Sequence, residues 1–198
     1  MKYGLIGLLI LAGIAAQAQK EFQGFFIGLD INYHYLFGGA QVEGQETIGD
    51  GLRAALGVTG GYRWHFANDL VFGIEAQLNQ PFGSFQNTTD PAKAIVNYLI
   101  KPQSGLQFQL GKALGEENKH LLLGYFAFNQ TRFHIDITMP DGSQFKQTDF
   151  ENFGRVGLGY ENRFGNQWST RFQIGTSMDA LPDTNNGIDT KVNVFYAF

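Results

Sequence analysis

The residues able to do chemistry are mostly charged, and they alternate with apolar neighbours. Arg63, Arg155, Arg163 and Arg171 each fall one position away from a large apolar side chain. Glu75, Glu161, Asp136, Asp189, Asp30, Lys101 and Lys191 do the same. Successive side chains of a strand point to opposite faces, so this spacing puts charge on one face and apolar groups on the other. All six arginines, Arg53 and Arg132 included, are predicted on the charged face. A short turn centred near Asn166 sets Glu161 opposite Arg171, and one centred near Asp69 sets Arg63 opposite Glu75. Antiparallel neighbours lie within reach of an ion pair. Arg63, Glu75, Glu161, Arg163, Arg171, Arg132, Asp136 and Lys191 are therefore expected to form one enclosed network.

Other chemistries find less support. His134 and Asp136, two apart, could pair as a base and its orienting carboxylate, and His34 lies near Asp30. No serine stands at a spacing that completes a triad: Ser169 and Ser177 fall on another strand, outside any nucleophile motif. No catalytic residue is assigned. No His, Cys or Asp spacing of the zinc type occurs, and the chain has no cysteine, so no metal, cofactor, disulfide or lipoprotein anchor is expected. Gly157-Leu158-Gly159 sits inside a strand pattern and is not a phosphate loop.

The elements that would position these groups are strands. The 198 residues suffice for one domain and include 26 Gly, 19 Phe and 8 Tyr. Lys2, an uncharged apolar run from Tyr3 to Ala15 and the small-x-small Ala16-Gln17-Ala18 read as a signal peptide over residues 1–18. The remainder, 19–198, has 13 basic against 18 acidic residues, which argues against nucleic acid as a partner. Period-2 alternation predicts strands at 24–37, 52–66, 70–79, 95–111, 121–137, 145–164, 168–178 and 188–198. In 121–137 the outward set is read as Leu121, Leu123, Tyr125, Ala127, Phe133, Ile135 and Ile137. Pro102 predicts a bulge or bend. Connections near 67–69, 112–119 and 165–167 are short, whereas those near 38–51, 80–93, 138–148 and 179–187 are longer and polar. Bacterial transmembrane barrels alternate short periplasmic turns with long outer loops. Trp64, Phe66, Phe164 and Trp168 flank the short turns, where an aromatic girdle belongs. The expected fold is all-β, a closed antiparallel transmembrane β-barrel of about eight strands.

The leader, the alternating strands and the closing pattern Val192-x-Val194-x-Tyr196-x-Phe198 resemble the small outer-membrane β-barrel family, which includes the OmpX-like proteins and the transmembrane domain of OmpA. The resemblance implies residence in the bacterial outer membrane, outer-membrane lipid as solvent, and the barrel-assembly machinery as a partner reading Val194, Tyr196 and Phe198. It transfers no catalytic motif. Three functions fit the residues: a structural or surface-interaction barrel whose lumen is filled by charged side chains, a narrow porin-like channel for small solutes, and a lipid-modifying enzyme. The extracellular partner of the loops is not identified by the sequence.

Overall fold

The computed structural model describes residues 21–36, 51–82, 84–87, 95–115, 117–139, 141–178 and 187–198. The expected signal peptide and most of the three connections near 38–51, 80–93 and 179–187 lie outside these residues. Ten strand segments are present: β1 Gly24–Leu36, β2 Gly51–His65, β3 Leu70–Phe82, β4 Ser84–Asn87, β5 Ile95–Ile100, β6 Gln103–Leu114, β7 His120–Thr138, β8 Gln144–Phe164, β9 Trp168–Met178 and β10 Gly187–Ala197. Segments β3 and β4 continue one wall strand, and so do β5 and β6, because β3 pairs with β6 and β4 with β5. All pairings are antiparallel, and β1 pairs with both β2 and β10. The order β4-β5-β7-β6-β3-β2-β1-β10-β9-β8 is closed by β7 on β8. The result is an eight-stranded closed barrel. Closure removes the edge strands that an open sheet would leave unpaired. No described helix is long and apolar enough to cross a membrane, which says nothing of strands.

Alternation explains the wall. On β1, Phe25, Ile27, Leu29, Ile31, Tyr33 and Tyr35 all face outward and are exposed, Leu29 by 67%, whereas Phe26 and Asp30 between them are buried. An exposed apolar face of this extent is the signature of a wall solvated by lipid. Aromatic rings concentrate beside the short turns: Phe25 on Tyr62, Tyr62 on Trp64, Trp64 on Phe72, Trp168 on Tyr196 and Tyr196 on Phe198.

Three expectations change. Residues 138–148 do not form a long loop. Segments β7 and β8 end at Thr138 and Gln144, within a residue of the expected 137 and 145, and what joins them is a tight turn at Met139–Ser143, closed by Met139 N–H to the Ser143 carbonyl at 2.8 Å, with Gly142 at φ +82°. The inward and outward sets of β7 are reversed: Leu121, Leu123, Tyr125 and Ala127 are buried inside, and Leu122, Phe128, Arg132 and Asp136 face out. The third change is one of register. Arg63 stands opposite Gly73, and Glu75 opposite Gly61, because the loop between β2 and β3 is centred on Asn68. Pro102 does mark a bulge. Ile100 pairs with Phe133 and Ser104 with Gln130, so three residues oppose two.

Candidate functional site

The lumen holds the charged cluster. Glu161 on β8 and Arg171 on β9 are register neighbours, and Arg171 Nε donates to Glu161 Oε2 at 2.9 Å. Arg171 Nη1 reaches across to Glu75 Oε2 on β3 at 2.8 Å. Arg63 Nη1 donates to Glu161 Oε1 at 2.8 Å, and Ser169 Oγ donates to the same oxygen at 2.6 Å. Lys191 Nζ lies 3.4 Å from Glu75 Oε1 and 4.0 Å from Asp30 Oδ2, and it donates to Gln77 Oε1 at 2.8 Å. Gln77 passes the chain on to Asn129 at 2.6 Å. Three cations thus meet three carboxylates, and Glu75 and Glu161 are wholly buried. Phe195 supplies a hydrophobic wall: the Arg171 guanidinium lies 4.3 Å, and that of Arg63 5.2 Å, from its ring centre. Stacking and charge pairing together offset the cost of taking guanidinium groups out of water.

The ends of the lumen differ. Toward the short turns, Phe22 packs with Val71, Ala113, Leu121, Leu123, Tyr125 and Ala127 into an apolar cluster. Beside it Arg163 Nε lies 3.2 Å from Glu21. Toward the opposite end, Asp189 pairs with His34 Nδ1, with Arg155 Nε at 3.2 Å and with Ser177 Oγ at 3.1 Å. The serine donates to the carboxylate, so no nucleophile-to-base bond of the triad kind joins it to His34. Among the described residues no group of three metal-ligating side chains occurs.

Arg63, Glu75, Glu161, Arg171 and Lys191 are therefore brought together, and Arg163 sits nearby on Glu21. Arg132 and Asp136 are not part of the cluster. They alternate with buried Asn129 and Thr131 on β7 and lie exposed on the outer face, where Arg132 covers the Phe150 ring at 4.5 Å. The reversed phase of β7 causes this error. Lys101, read as inward, lines an outer cleft with Arg132. His134 bonds Thr148 at 2.7 Å, and Arg53's side chain is outside the described set. Sequence reasoning missed Phe22, Ser169 and the Arg63–Glu161 pair. The last joins residues 98 apart across the lumen, with no local signal.

A family model described as the outer membrane protein beta-barrel domain matches residues 5–198. The chain belongs to that family. It is thus an outer-membrane β-barrel, and solved barrels resemble it in fold. Neisserial surface protein A is 12% identical with a TM-score of 0.49, covering 88% of this chain and 97% of that one. Ail, the attachment invasion locus protein of Yersinia pestis, in complex with the heparin analogue sucrose octasulfate, is 12% identical with a TM-score of 0.50, covering 88% and 99%. The N-terminal beta-barrel domain of Pseudomonas aeruginosa OprF is 12% identical with a TM-score of 0.36, covering 86% and 97%. Among curated proteins no sequence matches this outer-membrane barrel.

Proposed function

We propose that this outer-membrane barrel is a closed-lumen protein with a structural or surface-interaction role, not a solute channel. The observation that carries the reading is the Arg63–Glu161–Arg171–Glu75–Lys191 chain, which runs from β2 to β10 across the interior. A barrel of about eight strands is only wide enough for its own side chains. The apolar cluster around Phe22 supports closure at the short-turn end. What remains for function is the surface displayed by the longer connections and by the tall β7–β8 hairpin. Outer-membrane lipid is then the solvent of the wall. Val194, Tyr196 and Phe198, all on the outer face of the last strand and its end, are the residues offered to the assembly machinery.

Swelling of liposomes loaded with the purified protein tests this. Small sugars and amino acids should enter no faster than into protein-free vesicles, and solute-dependent swelling would overturn the reading. One observation favours a narrow channel as the second reading. Gln109, Gln173 and Asn193, buried in the lumen, have neither side-chain polar atom bonded to protein. Such groups are normally satisfied by internal water. A file of water is compatible with a closed lumen and would become a path only if the ion pairs opened.

A further inference from the structure

The geometry points to an outer-leaflet lipid site: the cleft beside the Pro102 bulge grips the phosphate of a phosphorylated glycolipid. The cleft, of about 360 Å³, is lined by Lys101, Pro102, Ser104, Gln130, Arg132 and His134, with Phe150 beside them. It exists because of the bulge. Residues 101–103 oppose only 131 and 132, and the Lys101 N–H is bonded to the Arg132 carbonyl at 2.9 Å. This one bond holds the two cations' backbones side by side.

The chemistry of the cleft selects an anion. Arg132 lies with its guanidinium over Phe150 at 4.5 Å. Stacking uses the face of that plane and leaves its edge, where the N–H donors lie, to meet a phosphate in the bidentate manner. Lys101 adds a second charge. His134, bonded through Nδ1 to Thr148 at 2.7 Å, is positioned by that bond. Gln130, bonded to Asn152 at 3.1 Å, gives a polar floor. Asp136, an acidic residue of the same strand face, stands opposite Lys146 in register, two pairs beyond His134.

Position selects the source of the anion. Directly below the polar step, Leu106, Phe128 and Val156 are exposed by 50%, 60% and 40% on the same outer wall. Leu106 pairs with Phe128, one outward step below the Ser104–Gln130 pair. The cleft therefore sits on the boundary between apolar wall and polar surface, at the end away from the short turns. In barrels of this kind that end faces the outer leaflet. A soluble anion has no use for an apolar wall beneath it. A lipid has one, because its acyl chains continue along Leu106 and Phe128 while its phosphate reaches Lys101 and Arg132.

The test uses the full chain in phosphatidylcholine nanodiscs containing a small fraction of bisphosphorylated lipid A, with retained lipid counted by native mass spectrometry. Lys101→Gln, Arg132→Gln and the double variant are compared with Lys112→Gln, an exposed lysine on the same wall near the short turns. A heat-modifiable gel shift verifies folding, and each single variant is read alone should the pair fail to fold. Loss of the two charge-assisted contacts should lower retention at least about tenfold, with Lys112→Gln unchanged. Dephosphorylated lipid A should not be retained, and inorganic phosphate should not displace the lipid. Equal retention by the Lys101 and Arg132 variants, or equal retention of the dephosphorylated lipid, overturns the site. Displacement by inorganic phosphate alone overturns the lipid as its occupant.

Discussion

Replacing Glu161 with alanine should be the most damaging single change in the lumen. Its carboxylate is wholly buried and accepts from Arg63 at 2.8 Å, Arg171 at 2.9 Å and Ser169 at 2.6 Å. Arg171 keeps Glu75 when Glu161 is gone. Arg63 does not: among the described residues no second carboxylate lies within ion-pair distance of it, although Phe26 still covers its guanidinium at 4.1 Å. A desolvated cation is left without its partner, and breaking such a buried pair costs about 3–5 kcal/mol. That is a large share of the ~5–15 kcal/mol by which a typical domain is stable. Glu161→Gln keeps an acceptor for Arg63 and Ser169 and should cost about half as much. Glu161→Ala combined with Arg63→Met removes both charges and should recover part of the loss, because no uncompensated cation is then left buried. Equilibrium urea unfolding in phosphatidylcholine vesicles, followed by tryptophan fluorescence, measures all three. The reasoning is refuted if Glu161→Ala unfolds within about 0.5 kcal/mol of the unaltered protein, or if the Arg63→Met combination is worse than the single change.

Three further outcomes are expected. Phe22→Ala should destabilise by about 3 kcal/mol, since it removes a buried phenyl ring from the short-turn-end cluster; an unchanged urea midpoint would show that the segment does not plug the lumen. Phe198→Ser should lower the yield of heat-modifiable barrel in outer-membrane fractions, and unaltered yield would remove Phe198 from the assembly signal. At the β7–β8 tip, bonds from the Ser143 hydroxyl and backbone N–H hold the Asp141 carboxyl below its ordinary value. A depressed carboxyl supports the turn at neutral pH and loses that support only as pH falls through the acid range. Amide exchange at 141–143, corrected for intrinsic rates, should therefore rise at low pH and rise at neutral pH in Asp141→Ala; equal protection in both proteins would contradict this.

The wall was legible because lipid outside and polar groups inside give strong contrast at every second residue. On β1 and β9 this contrast holds along the whole strand, and the segment bounds agree within a residue. It failed on β7, where Leu121, Leu123, Tyr125 and Ala127 face an apolar part of the lumen that also holds Phe22, Val71 and Ala113. With apolar groups on both faces, Phe126 and Phe128 gave the pattern no phase, and Arg132 and Asp136 followed the wrong one. Local pairs were legible where a tight turn fixed the register, as for Glu161 and Arg171. Arg63 was assigned to Glu75 because a shift of one residue in a turn centre moves its partner by two. Its true partner, Glu161, lies across the lumen, where neither periodicity nor turn chemistry leaves a trace.

The central claim, that the charged chain closes the lumen, is tested most directly by planar-bilayer recording of the purified protein at neutral pH. The account predicts no steady open step for the unaltered protein, with any conductance confined to variants that break the Arg63–Glu161–Arg171 chain. Steady ohmic steps from the unaltered protein would contradict it.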